Sequence, residues 1–114
     1  EKRAEALWKE GFHVLSLGYY LWKPLSPHTV SIPIDYAEKA VDFLKNKCPV
    51  PIAKIGMTGL SLGAAYVLLC ASYLPDISCV VSVCGFDFVV EGCKNMISRQ
   101  HKSYFSFHGE DVPY

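Results

Sequence analysis

The sequence predicts an α/β fold, parallel strands with helices on both faces, and three observations carry that expectation. Short apolar runs rich in β-branched and aromatic residues recur at residues 12–20 (FHVLSLGYY), 54–59 (KIGMTG) and 78–84 (SCVVSVC). A segment with helical spacing precedes each run, so helices and strands alternate in the order αβαβαβ. Glycine or proline marks the junctions, at Gly11, Pro49, Pro51, Pro75 and Gly85. Strands that are apolar throughout and joined by helices pair in parallel, with right-handed crossovers and helices covering both faces.

In the first helix Ala4, Leu7, Trp8 and Gly11 follow i, i+3, i+4, i+7 spacing, opposite Glu1, Lys2, Arg3, Glu5, Lys9 and Glu10. Gly11 ends it. Residues 12–20 are the first predicted strand, and residues 21–29, with Pro24, Ser26 and Pro27, are a loop. The second helix is predicted to begin near Ser31. There Ser31 caps, Pro33 fits the first turn, and Asp35 and Glu38 sit at the positive end. Lys45 and Lys47 lie at its negative end, with Ala37, Ala40, Val41 and Leu44 facing inward. The strand at 54–59 runs into a long apolar helix from Ser61 (SLGAAYVLLCASYL), and the third strand ends at Gly85. From Phe86 periodicity is lost: Val89, Val90, Gly92, Asn95, Met96 and Ile97 lead to His101, Tyr104, Phe107 and His108, so residues 86–114 are expected to leave the sheet. Three strands leave two long edges, and 114 residues supply few layers around them. Residues 1–114 therefore read as part of a larger catalytic domain, with self-association through exposed sheet edges as a consequence.

Composition narrows the partners. Eleven basic and eleven acidic side chains cancel, and no Lys/Arg block appears, which argues against binding nucleic acid or anionic lipid by field alone. The longest nearly uncharged stretch, residues 55–74, contains Thr58, Gly59, Ser61, Gly63 and Ser72, so no membrane span is expected. No secretory pattern opens the sequence. The five cysteines are odd in number and lack Cys-x-x-Cys spacing. They indicate a reducing compartment, cytoplasmic with the peroxisome as alternative, and no structural zinc. Cys70, Cys79 and Cys84 are expected to pack in the core.

Chemistry concentrates at Gly59-Leu60-Ser61-Leu62-Gly63, a Gly-x-Ser-x-Gly pattern at a strand-to-helix junction. That context is what a nucleophile elbow requires, and it makes the chain a partial α/β-hydrolase fold. A serine on a strained, sharp turn needs small neighbours two residues away, and Gly59, Gly63 and Ala64 meet the demand. The turn lifts the Ser61 hydroxyl off the sheet and aims the Leu62 backbone N–H at the oxygen that becomes negative in a tetrahedral intermediate. The plain alternative is a glycine turn whose serine caps the following helix.

A serine hydroxyl needs a histidine to take its proton and an acid to orient that histidine. In chain order the acid and histidine follow the serine. Asp87 with His101 or His108 meets that order but competes with simpler roles, a turn carboxylate and histidines of a polar excursion. His13 and His28 precede Ser61 and read as local strand and loop residues. Tyr19, Tyr20 and Trp22 follow the first strand's carboxyl end and either line an acyl pocket or cover the loop.

Three segments, GFHVLSLGYY at 11–20, IDYAEKAVDFL at 34–44 and IGMTGLSLG at 55–63, resemble the catalytic domain of the acyl-CoA thioesterase and bile acid-CoA:amino acid N-acyltransferase family. The resemblance covers residues 1 to 90. It implies a serine hydrolase that cleaves an acyl-CoA thioester through an acyl-serine, with Ser61 as nucleophile and the Leu62 N–H as half of the oxyanion hole. It implies hydrolysis more than amino-acid conjugation, which is associated with cysteine at the elbow. By the same resemblance the acid and histidine lie beyond Tyr114, the second oxyanion N–H lies upstream of Glu1, and no metal or redox cofactor is needed. The alternatives are a carboxylesterase or peptidase of the same fold, and a truncated, non-catalytic interaction fragment.

Overall fold

The computed structural model describes residues 2–95 and 97–114; Glu1, expected on the polar side of the first helix, and Met96 lie outside the described residues. Among the described residues three helices and seven strands follow one another: α1 (Lys2–Lys9), β1 (Ile32–Pro33), α2 (Asp35–Lys47), β2 (Ile55–Leu60), α3 (Leu62–Tyr73), β3 (Ile77–Val83), β4 (Glu91–Lys94), β5 (Ser98–Ser103), β6 (Phe105–Phe107) and β7 (Glu110–Asp111).

The unit that positions the elbow is β2–α3–β3. β2 and β3 pair in parallel from Gly56 opposite Cys79 to Leu60 opposite Val83, and α3 packs on them. α3 is apolar on nearly all sides because it is enclosed: Ala64, Ala65, Tyr66, Val67 and Cys70 are buried along it. Ile32, Ile34, Ala37, Val41, Phe105 and Val112 join it in the core, together with Ile55, Leu74 and Ile77. The Tyr66 hydroxyl donates to the Pro33 carbonyl at 2.9 Å, which ties α3 to β1.

The expected fold class needs correction. In place of one parallel sheet with helices on both faces, the described residues form three small sheets: parallel β2–β3, an antiparallel hairpin β4–β5, and β1–β6–β7, parallel at β1–β6 and antiparallel at β6–β7. The predicted first strand is absent. Among the described residues, 13–20 make no backbone hydrogen bond. An apolar run becomes a strand only beside a neighbour, and here Tyr19 and Tyr20 dock on the core while Phe12, Val14 and Leu15 stay exposed. The helices do not cover both faces either. α1 buries no residue, with Trp8 67% exposed, and Val81 and Val83 of β3 face solvent.

The second helix also begins later than predicted. The Ser31, Ile32 and Ile34 N–H groups donate to the carbonyls of Ser103, Tyr104 and Ser106, so that stretch is held as strand. The Ser31 hydroxyl donates to Asp111 Oδ1 at 2.8 Å instead of capping. Residues 86–114, which lose periodicity, stay off the β2–β3 pair but are built of β4 to β7. Their strands are short, and β4–β5 carries a register shift, so no alternation lasts long enough to be read.

Candidate active site

A single residue, Ser61, separates β2 from α3. Its N–H donates to the Val83 carbonyl at 2.9 Å, so the sheet ladder runs right up to the serine. Its carbonyl accepts from Ala64 N–H at 2.9 Å, so the helix starts there too. To serve both partners the backbone adopts φ 55° and ψ −119°. A non-glycine residue in such a region costs about 1–3 kcal/mol, and the surrounding structure must over-determine it.

Glycine supplies the close approach. A Cβ on Gly59 would run into the Gly63 carbonyl and come within 2.8 Å of Ala64 N. A Cβ on Gly85, where the chain leaves β3, would meet the Ala64 Cβ at 2.5 Å. Strand ends and the first turn of α3 are thus in backbone contact on two sides, and Gly85 is a requirement that the motif alone does not announce.

The Ser61 side chain is exposed and makes no cap hydrogen bond, although the residue occupies the N-cap position. Its hydroxyl has no hydrogen-bond partner among the described residues. The Leu62 N–H opens the helix, has no backbone acceptor among the described residues, and stands at the positive end of α3. No charged residue sits in that first turn. The arrangement presents a free hydroxyl beside free N–H groups at the carboxyl end of a parallel strand.

The histidines are engaged elsewhere. His108 Nε2 lies 2.9 Å from Glu38 Oε2, and the His108 N–H donates to Asp35 Oδ2 at 3.2 Å. The hydrogen bond that its ring donates to the Glu38 carboxylate raises the His108 imidazole above its usual range. His101 Nδ1 lies 3.3 Å from Glu91 Oε1. Neither ring pairs with Asp87, which is exposed just beyond β3. His13 is exposed, and His28 sits in the loop where its N–H and carbonyl bond the Ser26 hydroxyl. The structure therefore assembles no serine–histidine pair among the described residues.

Tyr19 lies nearest the elbow helix among the aromatics singled out by the sequence. Its ring stacks on Tyr66, with centroids 4.2 Å apart and planes at 11°. Burial, with Tyr20 beside it, holds its phenol above the ordinary tyrosine range. Trp22 is exposed and does not join them. Cys70 is buried, and desolvation pushes its thiol up to about 12. Cys79 and Cys84, expected in the core, are exposed: among the described residues β3 pairs with β2 alone, and Cys84 lies just past its end. A cavity of about 250 Å³ bounded by Lys45, Ile52, Ile55, Pro75, Asp76 and Ser78 lies at the amino ends of β2 and β3, opposite Ser61. No helix among the described residues is long and apolar enough to cross a membrane.

Comparison with known proteins agrees with the sequence resemblance. Residues 32–112 match the family model described as BAAT / Acyl-CoA thioester hydrolase C terminal, and the chain belongs to that family. It is 38% identical over 88 residues to the peroxisomal succinyl-coenzyme A thioesterase of Mus musculus, covering 77% of this chain and 21% of that protein. It is 34% identical over 85 residues to acyl-coenzyme A thioesterase 1 of Mus musculus, covering 75% and 20%. Acyl-coenzyme A amino acid N-acyltransferase 1 of Mus musculus is 33% identical over 85 residues, again covering 75% and 20%. The chain spans about a fifth of the length of these curated relatives. No solved structure matches it.

Proposed function

We propose that this chain is the elbow-bearing part of a larger α/β-hydrolase domain that hydrolyses acyl-CoA thioesters through an acyl-serine at Ser61. The observation that carries the reading is the Ser61 backbone, φ 55° and ψ −119°, between β2 and α3 with its hydroxyl unspent on a cap. A capping serine has no reason to bear that strain, whereas a nucleophile raised above a sheet does. The names of the relatives, acyl-coenzyme A thioesterases, support the thioester as substrate.

In the proposed step Ser61 Oγ attacks the thioester carbonyl carbon as a histidine from outside this chain takes the hydroxyl proton. The carbonyl π pair moves onto oxygen, where the Leu62 N–H donates to it. Collapse re-forms the carbonyl and expels the CoA thiolate, which takes up the proton. Water then attacks the ester and releases the acid and Ser61. CoA is a part of the substrate, and the reaction calls on no metal or redox cofactor. The five thiols are unpaired in the structure, which suits a reducing compartment, cytoplasm or peroxisome.

The test is acyl-CoA turnover by the protein expressed from its complete reading frame, against its Ser61→Ala variant and against p-nitrophenyl esters. Thioester turnover lost in Ser61→Ala supports the reading. Ester turnover without acyl-CoA turnover transfers the assignment to a carboxylesterase, and turnover that survives Ser61→Ala removes the elbow from the chemistry. The uncovered outer side of β3 favours a second reading, a non-catalytic fragment that associates through its sheet edge. Concentration-dependent association without turnover distinguishes it.

A further inference from the structure

We infer that Tyr19 is a catalytic residue at the elbow, its phenol O–H donating to the acyl oxygen that the Leu62 N–H also faces; the inference rests on Ser61 being the nucleophile. Three observations place the hydroxyl. The Tyr19 ring lies flat against Tyr66, which is itself immobilised, 1% exposed and bonded through its hydroxyl to Pro33. The Tyr19 phenol oxygen, by contrast, lies 3.2 Å from where a Cβ of Gly63 would stand. The Tyr19 oxygen therefore stands against the first turn of α3, beside the residue two positions after Ser61.

The hydroxyl is also free. It has no hydrogen-bond partner among the described residues, and no fully buried side-chain oxygen or nitrogen among them lacks one. The Tyr19 oxygen is thus not fully buried while its ring is held. A locked aromatic body with an unspent donor at its tip is a preorganised hydrogen-bond donor, which needs no reorganisation when charge develops on the acyl oxygen. Its surroundings keep the phenol protonated, so it donates across the neutral range. Tyr19 transfers no proton; it shares one with the oxyanion and withdraws when the carbonyl re-forms. Gly63 acquires a second purpose, since any side chain there would press on the hydroxyl.

Tyr19→Phe removes the oxygen and keeps the ring. In the protein expressed from its complete reading frame, it is expected to lower kcat for acyl-CoA on the order of 100-fold with KM nearly unchanged, and to slow fluorophosphonate modification of Ser61 comparably. Its melting temperature should match the wild type, because no hydrogen bond within the protein is lost. Tyr73→Phe, which removes a phenol oxygen at the other end of α3 and keeps the ring that packs on Phe107, serves as the control, with kcat retained. Wild-type kcat in Tyr19→Phe, or an effect confined to KM, overturns the role of Tyr19 while modification of Ser61 keeps the nucleophile assignment standing. Absence of Ser61 modification in the wild type overturns the nucleophile and Tyr19 together.

Discussion

Ser61 is held in its turn by partners on both sides, Val83 in the sheet and Ala64 in the helix, and Gly59 makes that double engagement sterically possible. Gly59→Ala places a methyl group against the Gly63 carbonyl, and neither backbone can yield without breaking the ladder or the first helical turn. Overpacking of this kind costs about 1–3 kcal/mol. Denaturant unfolding of Gly59→Ala is expected to show that loss; a midpoint equal to wild type contradicts the elbow's packing. The motif was legible in the sequence because its demand is local: small residues two positions either side of a serine. The histidines' partners were not legible, since His108 meets a carboxylate seventy positions away and only tertiary structure makes that pair. Cys70 was readable as a core residue from its place in an apolar helix, whereas the exposure of Cys79 and Cys84 depends on what does or does not cover their strand.

Among the elements, α2 and the turn from β6 to β7 are joined by His108, which meets Glu38 with its ring and Asp35 with its backbone N–H. The imidazole's affinity for its proton is raised in the folded state. Its contribution to stability is therefore full below the ordinary histidine range, about 6.5, and disappears as pH rises through the raised value. Glu38→Gln should destabilise the protein at pH near 5.5, below the ordinary histidine range, and less near pH 8.5. Urea unfolding at the two values checks it, and an equal loss at both contradicts an ionic latch. The helix at 35–47 was legible from its spacing and end charges. Its start was not, because the N–H groups of Ser31, Ile32 and Ile34 go to residues more than seventy positions later. Residues 12–20 show the complementary limit: apolar content marks a strand candidate, but hydrogen-bond partners decide whether one forms.

At the scale of the molecule, among the described residues the β2–β3 pair is covered by α3 and its other side is left exposed, with Val81 58% exposed in a run that reads as sheet interior. The chain spans about a fifth of its curated relatives, which have far more polypeptide with which to cover such a surface. Thiol accessibility reports the cover directly. In the 114-residue chain Cys79 and Cys84 should react with a thiol reagent at native pH, while Cys70, with its thiol pushed up to about 12, reacts only on unfolding. Protection of Cys79 and Cys84 in a dilute, monomeric sample contradicts the open face. The α/β alternation was legible because each run has its own periodicity; the number and grouping of sheets was not, because sheet membership is a property of pairs of segments.

The most direct test of the acyl-serine is to quench the protein expressed from its complete reading frame during acyl-CoA turnover and map the acyl group by peptide mass spectrometry. An acyl adduct on Ser61, absent in Ser61→Ala, is the predicted result. An adduct on Cys84 or any residue other than Ser61, or turnover in Ser61→Ala at the wild-type rate, contradicts it.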